Sequence, residues 1–408
     1  MTHRVVITGI GLVSPIGNSL DAVSEALRHG RHGVGVRADW ASIGQLRTQL
    51  SADVRDLDAA RFPRKKTRAM GRVGLLSLHA TDDAILDARL SPDELASGAV
   101  GLAYGSTHGS SSAQEEFCRK LFRETSLKGL AGSTYLKFMS HTCAANLAQY
   151  YAVRGRVTST CAACVSASVA IGTGYELVRS GQQEVVICGG AEEMHFVHAG
   201  VFDIMFATST RYNDRPDLSP RPFDADRDGL VIGEGAGTMV VERYDRAVAR
   251  GAHIYAEIVG YGSNCDGTHV TSPSAAGMAG AMRLALRDAD LSADAIQYVN
   301  AHATATDVGD ICESQATHEV LGPTVPISST KGHTGHTLGA CGAIEAAFCV
   351  VAMRDGFLPP TRNLDRVDPR CAPLDYVTGA ARVASPEIVM TNNFAFGGIN
   401  TSLILRRL

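Results

Sequence analysis

The chain has 408 residues, too many for one simple hydrophobic core, and its 45% apolar and 20% charged residues are ordinary for a folded protein. The formal net charge of −4 excludes a global attraction to nucleic acid or anionic lipid. The opening segment MTHRVVITGIGLVSPIGNSL has no basic leader, and no 18-residue uncharged apolar run follows, so we expect neither a signal peptide nor membrane insertion.

Short β-rich runs alternate with helical patterns along the chain, which is the rhythm of an α/β fold. In chain order, the candidate strands are residues 4–11, 99–106, 184–190, 237–244, 254–262, 296–302 and 387–396. Several of them are apolar throughout, as strands covered on both faces tend to be. We therefore predict a buried sheet with helical layers.

The order of elements also repeats at long range, which indicates an internal duplication. Residues 84–109 parallel 284–307, since each runs from a helix end through an LS turn and a strand into a loop of small polar residues. The next pair, 158–181 and 327–356, is strand, polar loop and helix, and a further strand follows each. We place the boundary near residue 250, which gives halves 1–250 and 251–408.

The ten cysteines show no disulfide framework spacing, and most lie in apolar stretches such as EVVICGG and EAAFCVV. A free thiol in such a stretch behaves as a small hydrophobic group. This usage fits a reducing compartment, and we expect a cytoplasmic protein.

The segment TSTCAACVSAS carries Cys161 and Cys164, three residues apart. A thioredoxin-like pair belongs near the start of a small βαβ domain, and a zinc site needs a second ligand pair that the chain lacks. Two buried structural cysteines remain an open alternative. The residues after Cys164 read as a helix, so Cys164 lies at a strand-to-helix junction, where the helix N-terminus stabilises a thiolate. Cys164 is the better nucleophile candidate.

Two loops rich in small residues and histidine follow strands of the second half. NAHATATD places His302 directly after a strand, and KGHTGHTLGACG places Lys331, His333 and His336 just before a helix. A single loop histidine is usually solvated or structural. Here both loops occupy matching strand ends of the repeat, where active sites of α/β sheets gather, so we expect them to meet Cys164.

Two further segments resemble cofactor motifs but do not match them. DADRDGLVIGE resembles a calcium loop, yet its closing acid, Glu234, comes one residue too early. TGIGLVSPIG has Ser14 where a dinucleotide fingerprint needs its third glycine or alanine. We predict neither a bound metal nor a nucleotide.

An ordered set of motifs resembles the elongating β-ketoacyl-acyl-carrier-protein synthases of the thiolase-fold superfamily. The motifs are VVITGIGLVSPIGN, TCAACVSAS, CGGAEE, RPFDADRDGLVIGEGAG, NAHATAT, SSTKGHTGH and NNFAFGGIN, and they span nearly the whole chain. The resemblance implies the thiolase fold, with two repeated βαβαβαββ halves in a five-layer αβαβα core, and it implies a dimer.

The resemblance also implies roles for residues at matched positions. Cys164 matches the family's nucleophile, and His302 and His336 match its two catalytic histidines. The other matched positions are Lys331, Glu313, the gating Phe396, Phe394 beside it, and the channel threonines Thr304 and Thr306. We expect the N–H groups of Cys164 and Phe396 to form an oxyanion hole, and Lys331 and Glu313 to form a charge pair that orients the histidines.

The implied reaction is a decarboxylative Claisen condensation. An acyl group passes to Cys164, malonyl-carrier protein loses its carboxylate, and the resulting enolate attacks the acyl-cysteine to extend the chain by two carbons. Two neutral imidazoles stabilise the enolate. No cofactor is required, because the substrates are carried on the phosphopantetheine of acyl carrier protein.

The basic run RFPRKKTRAMGR lacks an apolar stripe, and an exposed helix face is its ordinary reading. In the family, such a cluster near the pocket mouth meets the acidic carrier protein. The candidate docking residues are Arg64, Lys65, Lys66, Arg68 and Arg211.

His108 occupies a position that commonly holds a small or aliphatic residue and shapes the acyl pocket. A buried imidazole without a partner is unfavourable, so His108 suggests a shortened tunnel or a polar, aromatic or conjugated chain, and hence a polyketide or polyene pathway. The alternative is that His108 belongs to a polar network beside the pocket and ordinary chains are used.

Two other functions compete with the condensing enzyme. A degradative thiolase acting on CoA esters uses a second catalytic cysteine where this chain has NNFAFGG. A non-catalytic partner subunit that sets chain length lacks the nucleophile, whereas this chain has Cys164, His302 and His336. The assembly is expected to be a homodimer or a heterodimer with a related ketosynthase-like subunit.

Overall fold

The computed structural model describes residues 2–58 and 60–408. The strands in this part of the chain are β1 (Val5–Val13), β2 (Val34–Val36), β3 (Leu50–Ala52), β4 (Val100–Gly105), β5 (Val157–Thr160), β6 (Val185–Glu192), β7 (Ile232–Gly233), β8 (Gly235–Arg243), β9 (Ala256–Cys265), β10 (Tyr298–Asn300), β11 (Pro326–Ser328), β12 (Phe357–Leu358), β13 (Asp375–Tyr376), β14 (Arg382–Val383), β15 (Ile388–Phe394) and β16 (Ile399–Arg406). Each candidate strand of the sequence overlaps one of them.

The α-helices of the same residues are α1 (Leu20–Arg28), α2 (Arg64–Thr67), α3 (Arg72–Asp87), α4 (Pro92–Ala96), α5 (Ser111–Glu124), α6 (Gly132–Phe138), α7 (Thr142–Tyr150), α8 (Ser166–Arg179), α9 (Phe196–Ile204), α10 (Tyr244–Ala249), α11 (Ala275–Ala289), α12 (Asp307–Leu321), α13 (Lys331–Thr334) and α14 (Cys341–Asp355). Among the described helices, none is both long enough and apolar enough to cross a bilayer.

Ten of the eleven strands of the main sheet form two five-stranded parts with the same strand order, and β13 adds an outer strand beside β11. The first part runs β1-β8-β6-β4-β5 and the second runs β9-β16-β15-β10-β11. In both parts the first two neighbouring pairs are antiparallel and the last two are parallel. The parts join edge to edge where β1 pairs with β9, from Val5 opposite Ile258 to Ile7 opposite Ala256. The sequence repeat is therefore also a repeat of topology.

Helices form three layers around these two sheet parts. On the outside of the first part, α3 packs on β1 and β8, and on the outside of the second, α11 packs on β9 and β16. Between the parts, α8 and α14 contact each other, while α8 also packs on β6 and α14 on β15. This is the five-layer αβαβα arrangement that the resemblance implies.

The central helix α14 is apolar around most of its circumference because it has protein on all sides. Every residue of α14 from Cys341 to Met353 is buried, including Phe348. Phe348 and Ile171 belong to one central core, whereas Leu76 on α3 and Met282 on α11 belong to the two outer cores. Phe348→Ala removes a large side chain from the central core and is expected to lower the free energy of unfolding by about 3–5 kcal/mol.

Candidate active site

Cys164 lies in a tight turn at the start of the central helix α8. It is the middle residue of a short 3₁₀ turn, Ala163–Val165, between β5 and α8. Ala163 has φ 48°, in the left-handed region, which costs a residue with a side chain roughly 1–2 kcal/mol. The strained turn fixes the backbone from which the Cys164 thiol projects.

His336 contacts the Cys164 thiol directly. The distance from His336 Nε2 to Cys164 Sγ is 3.1 Å. The His336 backbone N–H donates to the Val231 carbonyl at 2.7 Å, and its own carbonyl accepts from Gly233 N–H at 2.9 Å. The preceding residue, Gly335, has φ 65°, which glycine adopts without strain. The chain is thereby turned so that the imidazole reaches across from the second half to the cysteine of the first.

His302 follows β10 and places a second imidazole beside the first. The ring centroids of His302 and His336 are 5.1 Å apart, and the ring planes are nearly perpendicular at 89°. Asn393 Nδ2 lies 3.4 Å from His302 Nδ1. Because an amide nitrogen can only donate, Nδ1 is the acceptor, and the ring proton resides on Nε2.

Glu313 holds the loop that carries His302. Its two carboxylate oxygens accept the backbone N–H groups of His302 and Ala303, at 2.7 Å and 2.6 Å. Glu313 is buried on α12, and burial raises its pKa to about 8, although the two N–H donors oppose that shift. The carboxyl group therefore fixes backbone at the site and does not touch either imidazole.

The expected charge pair between Lys331 and Glu313 is wrong, because Lys331 pairs with Glu345. The Lys331 ammonium forms a buried ion pair with Glu345 on α14, and the other Glu345 oxygen accepts from Asn393 Nδ2 at 2.6 Å. Burial alone lowers the pKa of Lys331, but the Glu345 carboxylate raises it above its ordinary value. Lys331 therefore remains a cation, and Glu345 and Asn393 connect it to His302.

The protonation state of Cys164 also differs from the expectation. Burial raises the pKa of Cys164 to about 12, and the nearby positive charge of Lys331 only partly offsets this effect. Burial, together with Lys331, lowers the pKa of both His302 and His336 well below the ordinary value. At neutral pH the site consists of a thiol and two neutral imidazoles, and His336 Nε2 is placed to accept the S–H proton.

A cavity of about 720 Å³ leads to these groups and is lined by Cys164, His302 and His336. Phe394, Phe396, Thr304 and Thr306 line the same cavity. The hydroxyl groups of the two threonines are 3.0 Å apart, and the Phe396 ring packs 5.2 Å from that of Phe202. The channel therefore has an aromatic wall and a polar threonine wall.

The Phe396 backbone is placed at the end of β15, in the loop before β16. Its neighbours use their amide groups within the protein: Ala395 N–H donates to Ile399, and Gly397 N–H donates to the Val270 carbonyl at 2.7 Å. Among the described residues, the N–H of Phe396 has no such acceptor. It is thus an available donor on the cavity wall near Cys164.

His108 belongs to a polar network and is not among the residues that line this cavity. Its Nδ1 lies 3.1 Å from the Thr107 hydroxyl, and its Nε2 lies 2.7 Å from the Ser111 hydroxyl. The buried His198 contributes Nε2 at 2.9 Å from the same Ser111 oxygen. The imidazole of His108 therefore has hydrogen-bond partners within the protein.

The predicted docking residues are all exposed. Arg64, Lys65 and Lys66 form the short helix α2, Arg68 follows it, and none of the four lines the cavity. Arg211 does not line the cavity either, but its guanidinium donates to the carbonyls of Asp226 and of the cavity-lining Arg227, at 2.8 Å and 3.0 Å.

Three site residues escaped the sequence analysis. Glu345 and Asn393 complete the Lys331 network, and Glu192 accepts the N–H groups of Thr107 and Gly339 at 3.0 Å and 3.1 Å. A single charged residue inside the apolar helix EAAFCVV was a signal for Glu345. The acidic pair that ends the apolar strand EVVICGGAEE was a signal for Glu192.

Comparison with known proteins identifies the family on independent grounds. Residues 2–247 match the family model "Beta-ketoacyl synthase, N-terminal domain", and residues 255–365 match "Beta-ketoacyl synthase, C-terminal domain". The chain is 37% identical over 406 residues to 3-oxoacyl-[acyl-carrier-protein] synthase 1 of Haemophilus influenzae, covering 99% of each chain.

Two solved structures are similar over the whole chain. One is a beta-ketoacyl synthase from Burkholderia phymatum, with 50% identity, a TM-score of 0.96 and complete coverage of both chains. The other is the ishigamide ketosynthase/chain length factor, with 32% identity, a TM-score of 0.92 and complete coverage of both chains.

Proposed function

The chain belongs to the β-ketoacyl synthase family and is a condensing acyltransferase, and we propose that Cys164, His302 and His336 carry out its two half-reactions. The observation that carries this assignment is the 3.1 Å contact between Cys164 Sγ and His336 Nε2, with a second neutral imidazole beside it in the same cavity.

In the first half-reaction an acyl group moves from acyl carrier protein to Cys164. His336 Nε2 accepts the thiol proton as Cys164 Sγ attacks the thioester carbonyl. The N–H groups of Cys164 and Phe396 donate to the oxyanion that develops. When the tetrahedral intermediate collapses, the phosphopantetheine sulfur leaves and takes the proton from His336. The products are the Cys164 thioester and the free phosphopantetheine thiol.

In the second half-reaction malonyl-carrier protein enters the same channel. As carbon dioxide leaves, the electrons of the bond to the malonyl carboxylate form an enolate. His302 donates its Nε2 N–H to the enolate oxygen, and His336 donates as the tautomer that carries its proton on Nε2, which is available once acylation has removed the Cys164 thiol proton. The enolate carbon then attacks the acyl carbonyl on Cys164. Expulsion of the Cys164 thiolate, which takes up a proton, yields a β-ketoacyl chain two carbons longer.

Mass spectrometry of the intact protein tests this assignment. We expect acyl-carrier protein to add one acyl mass to the protein, and malonyl-carrier protein to remove it and give the elongated product. Decarboxylation without condensation, or no adduct at all, would favour a partner subunit that sets chain length. Cleavage of a β-ketoacyl-CoA ester by CoA would favour a degradative thiolase.

We further propose that the protein works as a dimer, either with itself or with a related chain-length-factor-like subunit. The strand β5 is an edge strand with an exposed Val157, and an unpaired strand edge offers its N–H and C=O groups to a partner chain. A similar solved structure is described as a ketosynthase/chain length factor, which supports the heterodimer as the second possibility. Purification with and without a co-expressed partner, followed by mass determination, separates the two assemblies.

We propose a polyketide pathway for the acyl chain, because a similar solved structure, 28% identical with a TM-score of 0.90, is described as a type II PKS acyl-carrier protein in complex with its ketosynthase bound to the hexaketide. His108 gives no support for a polar acyl chain, because the hydroxyl groups of Thr107 and Ser111 already form hydrogen bonds with its ring nitrogens. Competition between saturated and conjugated acyl-carrier substrates of equal length tests the proposal. Faster elongation of the saturated chain, unchanged by His108→Ile, would reject it. We place the reaction in the cytoplasm, in keeping with ten free cysteines.

A further inference from the structure

The opening of the cavity that leads to Cys164 is bordered by exposed apolar side chains. Phe206, Val270 and Val308 all line the cavity, yet they are 79%, 69% and 51% exposed. A residue that both lines a cavity and faces solvent lies at its mouth. The three residues come from three separate segments: the turn after α9, the loop between β9 and α11, and the first turn of α12. They form one apolar border at the mouth, which we call the apolar rim.

Phe206 occupies a backbone position that glycine usually takes. Helix α9 ends in a Schellman motif, in which the Phe206 N–H donates to the Asp203 carbonyl at 3.0 Å and the Ala207 N–H donates to the Phe202 carbonyl at 2.9 Å. Phe206 has φ 56° there, in the left-handed region, which is unfavourable for a residue with a large side chain. Glycine would remove both that strain and the exposed ring. The stability of the free chain therefore does not account for an aromatic residue at this position.

The apolar rim is held in place by contacts behind it. The guanidinium carbon of Arg47 lies 4.2 Å from the centre of the Phe206 ring, and Arg47 Nε pairs with the buried carboxylate of Asp203 at 3.2 Å. The loop that carries Val270 is anchored as well, because the Val270 carbonyl accepts the Gly397 N–H at 2.7 Å. A side chain that is already ordered loses little conformational freedom when a partner binds, so the rim is a prepared contact surface.

The route of the substrate identifies the partner that covers the apolar rim. This step rests on the proposed function, in which both thioesters reach Cys164 on the phosphopantetheine arm of acyl carrier protein. The arm enters through the cavity mouth, so the carrier surface from which it extends must lie against the residues that border the mouth. A group of large exposed apolar side chains at such a place marks a contact surface. Covering it is favourable when the partner presents apolar side chains in return.

We propose that Phe206, Val270 and Val308 form a docking surface for an acyl carrier protein that has apolar side chains beside its phosphopantetheine-bearing serine. Exposed cations contribute affinity that salt screens, whereas the apolar rim contributes affinity that salt does not screen. Phe206 is the principal contact, because large aromatic side chains carry much of the binding energy of protein interfaces. The rim is thus a determinant of which carrier protein the enzyme accepts.

The affinity for holo-acyl carrier protein of Haemophilus influenzae, measured at about 0.1 M and 1 M sodium chloride, tests the proposal without a chemical step. Phe206→Ser should weaken binding by about 10-fold or more at the higher salt concentration, and Phe206→Leu should retain most of the affinity because the side chain stays apolar. The matched control is Phe122→Ser, since Phe122 is 75% exposed on α5 and is not among the residues that line the cavity. Unchanged affinity in Phe206→Ser, or an equal loss in Phe122→Ser, would overturn the proposal.

Val270→Ser is an independent variant on a different segment of the rim. It should also weaken binding at the higher salt concentration, whereas Val383→Ser should not, because Val383 is an exposed valine of β14 outside the cavity lining. The mass of each variant assembly in solution is measured alongside its affinity. A change of that mass in Phe206→Ser or Val270→Ser would identify the rim as a contact between subunits and reject the carrier protein as its occupant.

Acylation kinetics separate a failure of this proposal from a failure of the proposed function. An acyl-pantetheine thioester delivers the same arm without the carrier protein. In Phe206→Ser, kcat/KM for acyl-carrier protein should fall by a factor roughly 10 times larger than kcat/KM for acyl-pantetheine. Equal losses with the two donors would place Phe206 in the channel and reject the docking surface. Carrier binding that depends on Phe206, without an acyl adduct from either donor, would support the docking surface and reject the proposed function.

Discussion

The Nε2 atom of His336 lies 3.1 Å from the Sγ atom of Cys164, and both groups are uncharged at neutral pH. A thiol with a pKa of about 12 is a weak nucleophile, so its proton must leave as the new bond forms. The contact provides the acceptor for that proton. The nucleophile is therefore activated by a neighbouring base and not by a pre-formed thiolate.

Cys164→Ala is expected to abolish acyl transfer, whereas Cys161→Ala should retain most activity. Cys161 is exposed and directs its thiol to the Thr107 carbonyl at 2.7 Å, away from the histidines. Intact-protein mass spectrometry after incubation with acyl-carrier protein measures both. An acyl adduct on the Cys164→Ala protein would show that the nucleophile is another residue.

His302→Ala is expected to reduce the rate of condensation by about 10²–10³-fold, because loss of one donor to a developing oxyanion has that effect. Cys164 should still accept an acyl group. His336→Ala should reduce condensation similarly and slow acylation more than His302→Ala does, since only His336 contacts the thiol. Single-turnover acylation and malonyl decarboxylation, measured separately, test this. Equal losses of both steps in both variants would contradict the division of roles.

The Lys331–Glu345 pair is expected to stabilise the fold only as a pair. Replacing one partner, as in Glu345→Met or Lys331→Met, leaves an uncompensated buried charge, which typically costs about 3–5 kcal/mol. The double variant Lys331→Met/Glu345→Met should recover part of that loss. Urea unfolding of the four proteins gives the coupling free energy, and additive losses would mean that the ion pair is not a unit.

Glu192 is expected to make stability depend on pH. Burial raises its pKa to about 7 from an ordinary 4.5, against the opposing N–H donors of Thr107 and Gly339. Between these two pKa values the folded protein retains a proton that the unfolded chain has lost, so the free energy of unfolding falls as pH rises. For one group this amounts to on the order of 3 kcal/mol.

Glu192→Gln should therefore flatten the stability profile between about pH 4.5 and 7. The amide oxygen can accept the two N–H groups that Glu192 Oε2 accepts. Thermal unfolding of the two proteins across this pH range provides the comparison. Parallel profiles would assign the pH dependence to other carboxyl groups.

Carrier-protein binding is expected to weaken with salt and with charge reversal at Lys65, Lys66 or Arg68. These side chains are exposed, and exposed charges are screened over roughly 8 Å at physiological ionic strength. The matched control is Arg89→Glu, an exposed cation beyond the far end of the 16-residue helix α3. If the affinity does not depend on salt, or if Arg89→Glu reduces it as much as the α2 variants do, the carrier protein docks elsewhere.

The sequence predicts that Cys164, His302 and His336 lie close together, because each follows a strand or precedes a helix whose end is visible in the local sequence pattern. Once the repeat is recognised, equivalent strand ends must lie near each other. The Lys331 partner was not predictable in the same way. Glu345 and Glu313 are both acids on helices that follow the histidine loops. Only the packing of α14 in the central layer determines which of them reaches the ammonium.

The raised pKa of Cys164 could not be predicted from the local sequence either. A helix N-terminus lowers a thiol pKa when the thiol is solvated. The sequence shows that a helix follows Cys164, but it does not show the residues that bury the thiol. In the folded protein Cys164 is only 5% exposed. Desolvation then outweighs the helix, which is a property of the assembled core and not of the segment.

The matching strand order of the two parts of the sheet has a consequence for how such a chain can change. One copy of the repeat supplies the sulfur at the start of α8, and the other supplies the two imidazoles ahead of α14 and after β10. Neither copy holds a working set, although both have the same strand order. Each half therefore depends on the framework of the other, because the sulfur of one half must meet the imidazoles of the other.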